Sequence, residues 1–251
     1  MDRNDLKLAV LIDADNVPFS NVKGMMEEIA KYGTPTTKRI YGDWTKLPDK
    51  GWKSVLLEHA ITPIQQYGYT TGKNATDSAM IIDAMDILYS EKVDGFCLVS
   101  SDSDFTRLAI RLRESGMKVI GIGEKKTPNP FIVACDRFIY IEVIDGAKKK
   151  KPKMTAVPEE RKKEEKTTLS KIDVDTIDII ESSIEDIAED DGWAFLGDVG
   201  NLIVKKKPEF DPRNYGFLKL TPLMKSLTNF LEIDERESDK KGIKHVYVRL
   251  K

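Results

Sequence analysis

The spacing of apolar positions along the chain predicts its secondary structure. Residues 6–12 form a near-continuous apolar run, which is typical of a strand buried on both faces. Apolar side chains between residues 22 and 30 recur at helical spacing. These two patterns alternate, with strands predicted at 6–12, 36–41, 61–65, 95–100, 117–122 and 138–143 and helices at 22–30, 51–59, 74–89 and 104–115. Such alternation predicts an α/β fold, a mostly parallel sheet with helices on both faces.

A different pattern begins near residue 172. Isoleucines at helical spacing among acidic residues predict a helix over 172–189, and shorter helices are predicted at 196–204 and 218–227. Residues 230–234 and 244–250 alternate apolar and polar positions around a polar turn, as the strands of a β-hairpin do. Three helices followed by a hairpin predict a small winged-helix α+β domain.

The segment between the two patterns differs in charge. Residues 147–170 hold nine Lys and Arg residues against four acidic ones, whereas the flanking segments are mildly acidic. We therefore predict one domain over 1–146, a basic flexible linker over 147–168 and a second domain over 169–251. This linker either only connects the two domains or also binds a polyanion through its positive charges.

Composition excludes several classes of protein. No apolar run reaches the roughly 18 residues that a membrane helix needs. Two cysteines and two histidines disfavour a disulfide scaffold and a metal site built from thiolates or imidazoles. The first residues lack the layout of a signal peptide. We therefore expect a cytoplasmic protein with no membrane partner.

Acidic side chains follow two of the predicted strands. Asp13 comes directly after the first strand, Asp102 and Asp104 come after the fourth, and Asp77 lies in the first turn of the helix before the fourth strand. Each of these segments could simply cap a helix. Strands of a parallel sheet end at one edge, however, where ligands bind near the reversal of strand order. Carboxylates brought together there repel one another unless a cation intervenes, and their oxygen ligands favour Mg²⁺ or Mn²⁺.

Other charged residues near these positions are weaker candidates. Asp83 lies six residues beyond Asp77, about 240° around the helix, and should face elsewhere. Asp86 lies nearly three turns from the helix start, and we expect both residues to be solvated or structural. Lys73 precedes the helix, where it is either an exposed loop residue or a contact for a substrate phosphate.

Three segments of the first block resemble the signature of a known family. Residues 12–16 (IDADN), 72–77 (GKNATD) and 99–105 (VSSDSDF) resemble the NYN domain of the PIN-like nuclease superfamily, which includes the LabA-like proteins. The resemblance implies a PIN-like (Rossmannoid) sheet and a Mg²⁺- or Mn²⁺-dependent ribonuclease that hydrolyses RNA. By position, Asp13, Asp77 and Asp102 match the acidic metal ligands, Asp104 matches the second Asp of the last motif, and Asn16 matches a polar residue that orients Asp13 or a phosphate.

The second block resembles the OST-HTH (LOTUS) domain, through Trp193, residues 196–200 (LGDVG), residues 208–216 (PEFDPRNYG) and the hairpin. The resemblance implies RNA binding or docking onto a partner protein. A basic face for RNA is predicted at Lys205, Lys206, Lys207 and Arg213. The aromatic residues of the block either stack bases or form the core; they are Trp193, Phe210, Tyr215 and Phe217. The sequence also leaves open whether the protein forms a homodimer.

Two other functions remain open on the sequence alone. Residues 13–17 fit the DxDx(T/V) motif of haloacid-dehalogenase-like phosphatases, in which Asp13 would be the nucleophile and Asp15 would transfer the proton. That class also needs a Ser or Thr after a second strand and a separate Lys motif, which we cannot place. The other alternative is a catalytically inactive relative that only binds RNA.

Overall fold

The computed structural model describes residues 5–45, 49–67, 75–148, 172–237 and 244–251. Contacts divide the chain into two compact units, Met1–Lys149 and Lys150–Lys251. Nearly all of the linker predicted at 147–168 lies outside the described residues. Across the described ranges, no helix has both the length and the apolar character that a membrane crossing requires.

The first unit alternates strands and helices, as predicted. Its strands are β1 (Lys7–Asp13), β2 (Thr34–Gly42), β3 (Thr62–Gln65), β4 (Gly95–Val99), β5 (Lys118–Gly123) and β6 (Arg137–Tyr140). Its helices are α1 (Val22–Ile29), α2 (Asp49–His59), α3 (Ala75–Tyr89), α4 (Thr106–Glu114), α5 (Asn129–Ala134) and α6 (Ile141–Lys148). The strands pair in parallel in the order β3-β2-β1-β4-β5-β6, which confirms the predicted fold class.

Both faces of this sheet are buried. Leu8, Val10 and Ile12 of β1 pack with α1, α2 and α6 on one face. Ala9 and Leu11 pack with α3, α4 and α5 on the other. The central strand is therefore apolar at nearly every position, because a sheet covered by helices on both sides leaves no polar face.

The strand order places a crevice at the centre of the sheet. Successive strands run outward from β1 through β2 to β3, and in the opposite direction from β4 through β5 to β6. The order therefore reverses between β1 and β4, which are paired neighbours. In open α/β sheets, ligands bind outside the carboxyl ends of the strands at this point.

The end of the first unit differs from the prediction. The sixth strand, expected over 138–143, ends at Tyr140, and the chain continues directly into α6. Ile141 and Ile144 are both buried at helical spacing, so an apolar run that reads as one strand is divided between a strand and a helix. The short helix α5 was also missed.

The second unit contains three helices and a small antiparallel sheet. Its helices are α7 (Val174–Ile187), α8 (Leu196–Lys206) and α9 (Leu220–Lys225), and its strands are β7 (Ala194–Phe195), β8 (Leu231–Glu237) and β9 (Lys244–Leu250). The sheet order is β7-β9-β8. Its core joins the helices to one face of the sheet, through residues such as Ile180, Val199, Leu223 and Val248. The predicted small α+β domain is confirmed.

Candidate metal centre

Three carboxylates meet above the carboxyl edge of the sheet, at the reversal of strand order. One carboxylate oxygen from each of Asp77, Asp102 and Asp104 lies within 4.8 Å of the other two. Asp77 lies in the first turn of α3, and Asp102 and Asp104 lie in the loop between β4 and α4. Residues far apart in the sequence thus converge on one small volume.

The turn after β4 fixes two of these carboxylates. Asp102 caps the 3-10 turn Ser103–Phe105, and its Oδ1 accepts a hydrogen bond from the backbone N–H of Asp104 at 2.9 Å. The second oxygen, Oδ2, accepts no hydrogen bond from any described residue. The sequence left helix capping and metal binding as alternative roles for Asp102. In the structure one carboxylate oxygen of Asp102 caps the turn, and the other is available to a metal ion.

Asp13 is the last residue of β1 and lies close enough to the cluster for its charge to act on Asp77. Its side chain is 2% exposed, and it accepts hydrogen bonds from Asn16 Nδ2, from Ser100 Oγ at 3.0 Å and from the N–H of Asp15 at 3.0 Å. Burial raises the pKa of Asp13, although these hydrogen bonds oppose the shift. Asp13 is not one of the three residues whose oxygens lie within 4.8 Å of one another.

Ser100 is a site residue that sequence reasoning missed. Its buried hydroxyl donates to Asp13 Oδ2 and accepts a hydrogen bond from the N–H of Asp102 at 3.1 Å. It thereby joins the ends of β1 and β4. Gly123 allows β5 to lie close to the Ser100 backbone, since a Cβ there would lie 2.6 Å from the Ser100 carbonyl oxygen. Ser100 lies within the 99–105 motif (VSSDSDF) and at the end of the predicted strand 95–100, but its hydroxyl was assigned no role there.

Crowding of negative charge changes the acidity of Asp77. Its pKa is raised to about 6, first by desolvation and then by the charges of Asp13, Asp102, Asp104 and Asp15. The carboxylates therefore repel one another in the absence of a cation. A donor set of carboxylate oxygens suits a hard divalent ion such as Mg²⁺ or Mn²⁺, so the residues present fit the expected metal.

The remaining candidates of the first unit have different environments. Asn16 contacts Asp13, as described above, whereas Lys73 falls outside the described residues. Asp83 faces β2, where it accepts hydrogen bonds from Arg39 Nη1 at 2.7 Å and from the hydroxyl of Tyr41 at 2.9 Å. These bonds fasten α3, which carries Asp77, to the sheet.

The cations predicted to form a basic face in the second unit are mostly paired with acids of the same unit. Lys206 Nζ lies 2.7 Å from Asp186 Oδ2, and Lys207 Nζ lies 3.5 Å from Asp173 Oδ1. The Arg213 guanidinium contacts both carboxylate oxygens of Asp211, which is buried. Lys205 is exposed near the end of α8. An RNA phosphate would have to compete with these acids.

Comparisons with known proteins find one domain family in each of the two units. The NYN domain family model matches residues 7–142, more than half of the 251 residues, and the OST-HTH/LOTUS domain model matches residues 167–243. None of the curated proteins matches the chain.

Several solved structures are similar to parts of the chain. A protein of unknown function from Vibrio parahaemolyticus is 20% identical, with a TM-score of 0.48 over 56% of this chain and 96% of its own. An uncharacterized protein from Nitrosomonas europaea is 29% identical, with a TM-score of 0.30 over 40% of this chain and 92% of its own. A segment of a Chromobacterium violaceum protein is 41% identical, with a TM-score of 0.24 over 29% of this chain and 76% of its own.

The matched NYN region includes the whole acidic cluster and the strands that carry it. The second match covers α7, α8, α9 and β8 of the smaller unit. The chain therefore belongs to the NYN domain family and carries a C-terminal OST-HTH/LOTUS domain.

Proposed function

We propose that this protein is a divalent-metal-dependent ribonuclease that hydrolyses phosphodiester bonds in RNA at the acidic cluster. The observation that carries the proposal is the meeting of Asp77, Asp102 and Asp104 oxygens within 4.8 Å at the carboxyl edge of the sheet. The NYN domain is a domain of the PIN-like nuclease superfamily, which fits hydrolysis of RNA.

The residues of the site divide the work of holding a metal ion. Asp77, Asp102 and Asp104 would be the direct ligands of Mg²⁺ or Mn²⁺. A divalent ion bound there supplies an activated water and offsets charge on the scissile phosphate. Asp13 is held in place by hydrogen bonds from Asn16 and Ser100. It would stabilise the bound metal ion either as a further ligand or through its negative charge.

The setting of Asp13 favours this proposal over the phosphatase alternative. A phosphoryl acceptor needs a carboxylate oxygen that the substrate can reach. Asp13 is 2% exposed, and both of its oxygens accept hydrogen bonds. Asp15, the proton donor in that alternative, is exposed on the turn that Asp13 caps.

For the C-terminal domain we propose RNA binding, with docking onto a partner protein as the second candidate. The OST-HTH/LOTUS match is the support for RNA as the partner. Lys205, Lys206, Lys207 and Arg213 remain the predicted phosphate contacts from the sequence. Lys206 pairs with the exposed Asp186, whereas the side chains of Lys207 and Arg213 are each only 18% exposed beside their acidic partners.

Cleavage assays on the full chain test the nuclease proposal. Labelled single-stranded and structured RNAs are incubated with the protein and Mn²⁺, Mg²⁺ or EDTA, and cleavage is expected only with metal. Asp77→Asn should abolish cleavage and leave folding intact. The matched control is Asp86→Asn, which changes an exposed carboxylate of the same helix and should cleave normally. Unchanged cleavage by Asp77→Asn would refute the proposed site, and binding without cleavage by the wild type would favour the inactive alternative.

A further inference from the structure

The small sheet of the second unit has two unlike faces. Val246, Val248 and Leu250 of β9 point into the domain core. The intervening residues lie on the opposite face, where they meet side chains from β7, from β8 and from Trp193. We call this surface the outer aromatic face, and its rings and guanidiniums belong to Trp193, Phe195, Arg236, His245, Tyr247 and Arg249.

Three rings of the outer aromatic face pack together around Phe195. The Phe195 ring lies 5.5 Å from that of His245 and 5.7 Å from that of Tyr247, centroid to centroid. The four aromatic residues of the face are partly buried and lie outside the core cluster of the unit. By contrast, Phe210 is 2% exposed within that core. The structure thus separates Trp193 from the other aromatic candidates of the sequence.

Two arginines cover these rings. Arg236 Cζ lies 4.1 Å from the ring centroid of Tyr247 and 5.5 Å from that of Trp193, and Arg249 Cζ lies 4.8 Å from the centroid of Trp193. The side chains of Arg236 and Arg249 are 41% and 40% exposed, so both guanidiniums are within reach of a ligand. Bases of single-stranded RNA stack on both aromatic rings and arginine planes.

The ion pairs of these arginines are weak enough to exchange. Arg236 Nε lies 2.9 Å from Asp234 Oδ2, with both side chains more than 40% exposed, and Arg249 pairs with the similarly exposed Glu232. Exposed ion pairs contribute little to stability, so a phosphate can replace either carboxylate. The charges of the face nearly cancel, which makes stacking rather than net positive charge its main attraction.

We propose that the outer aromatic face binds single-stranded RNA by stacking unpaired bases on its rings and guanidiniums. The inference rests on the RNA-binding role proposed for the C-terminal domain and specifies its surface. Aromatic rings and guanidiniums also suit protein interfaces, and the OST-HTH/LOTUS match is what favours RNA as the occupant of this face. Duplex RNA keeps its bases stacked internally and should bind poorly.

Binding of a fluorescent single-stranded RNA of about 12 nucleotides to the full chain in EDTA tests the inference. EDTA prevents metal-dependent cleavage, so the anisotropy reports binding alone. Tyr247→Leu should weaken binding about tenfold or more, and Arg236→Gln about two- to fivefold. The matched control is Tyr89→Leu, which alters an exposed tyrosine beside Arg111 in the other unit and should bind normally.

Salt and fluorescence give independent readouts of the same surface. Contact with two phosphates predicts a slope of log affinity against log salt of only about −1.4. Trp193 fluorescence should be quenched by RNA, and Trp193→Phe should lose that quench while retaining most of the affinity, because a ring remains. This readout needs no disruptive substitution, so it stands even if Tyr247→Leu fails to fold.

The outcomes separate this inference from the nuclease proposal. Wild-type affinity in both Tyr247→Leu and Arg236→Gln, or no RNA binding by the wild type in EDTA, would overturn the outer aromatic face as an RNA surface. Unchanged affinity in the variants would instead favour a protein as the partner that binds this face. Absence of cleavage with Mn²⁺ would contradict the nuclease proposal alone and would leave this binding surface intact.

Discussion

The two units of the chain assemble their chemistry in opposite ways. In the NYN unit, Asp13, Asp77 and Asp102 come from β1, α3 and the loop after β4, and only the parallel sheet brings them together. In the OST-HTH/LOTUS unit, most of the outer aromatic face comes from one hairpin, by alternation along β8 and β9.

This difference determines which interactions each site depends on. The acidic cluster is held by hydrogen bonds that link separate strands, above all through Ser100, and it concentrates like charge. The outer aromatic face is held by neighbouring residues and pairs opposite charges. We therefore expect the first site to be sensitive to single polar substitutions and to metal, and the second to be tolerant of both.

Beyond the loss of cleavage expected for Asp77→Asn, the largest effect is expected at Asp102. In Asp102→Asn the amide oxygen can still accept the N–H of Asp104, so the 3-10 turn is preserved while a negative ligand is lost. Cleavage should fall by about a hundredfold or more, with little change in thermal stability. Initial rates with Mn²⁺ and a melting curve measure the two quantities. A normal rate in Asp102→Asn would remove this residue from the site.

Ser100→Ala tests whether links between strands hold the acidic cluster. The substitution removes a donor from buried Asp13 and an acceptor from the Asp102 N–H, so cleavage should fall about tenfold and stability by about 1–2 kcal/mol. Ser101→Ala is the control, because among the described residues the Ser101 hydroxyl accepts a hydrogen bond from the N–H of Glu124 and is bonded to neither carboxylate. Equal cleavage rates in the two variants would contradict the positioning role of Ser100.

Much of the fold was predictable, because the central strands β1 and β4 are apolar at nearly every position and the helices show regular spacing. The division of residues 138–148 between β6 and α6 was not, since a short apolar run fits either element. Asp13, Asp102 and Asp104 were found from their places after strands, and Asp77 from its place in the first turn of a helix. The role of Ser100 and, apart from Trp193, the outer aromatic face were missed, because sequence spacing does not show which residues a hydroxyl contacts across strands or which side of a hairpin is exposed.

In the second unit, Asp173 should stabilise the domain locally. It caps α7 by accepting the N–H of Thr176 at 2.7 Å. Desolvation raises the pKa of Asp173, but hydrogen bonds from Thr176 and the charge of Lys207 outweigh it, so the pKa is lowered. Asp173→Ala should destabilise α7 by about 1 kcal/mol at neutral pH, measured by amide hydrogen exchange.

The sign of the pH dependence follows from that lowered pKa. The stabilisation by Asp173 is present above the pKa of an unfolded aspartate, about 4, and is lost as pH falls through the folded value. Wild type and Asp173→Ala should therefore converge in strongly acidic solution. A difference that persists there would show that Asp173 stabilises α7 by something other than its charge and cap.

The raised pKa of Asp77 predicts the opposite dependence of stability on pH in the first unit. Its pKa, raised to about 6, means that the metal-free protein loses stability as pH rises from about 4 through 6. Solvent screening at this partly exposed group limits the effect to about 1 kcal/mol or less. Thermal unfolding in EDTA should show Asp77→Asn melting above the wild type at pH 7.5, and Mn²⁺ should raise the melting temperature of the wild type only. A lower melting temperature for Asp77→Asn in EDTA would contradict this account.

The central claim is that the Asp77, Asp102 and Asp104 carboxylates form a site for one hard divalent ion or more. Titration of the full chain with Mn²⁺, followed by the electron paramagnetic resonance signal of the free ion, measures this directly and without RNA. We predict saturable binding by the wild type and by Asp86→Asn, and its loss or strong weakening in Asp102→Asn. Equal Mn²⁺ binding by the wild type and Asp102→Asn, or none by the wild type, would contradict the claim.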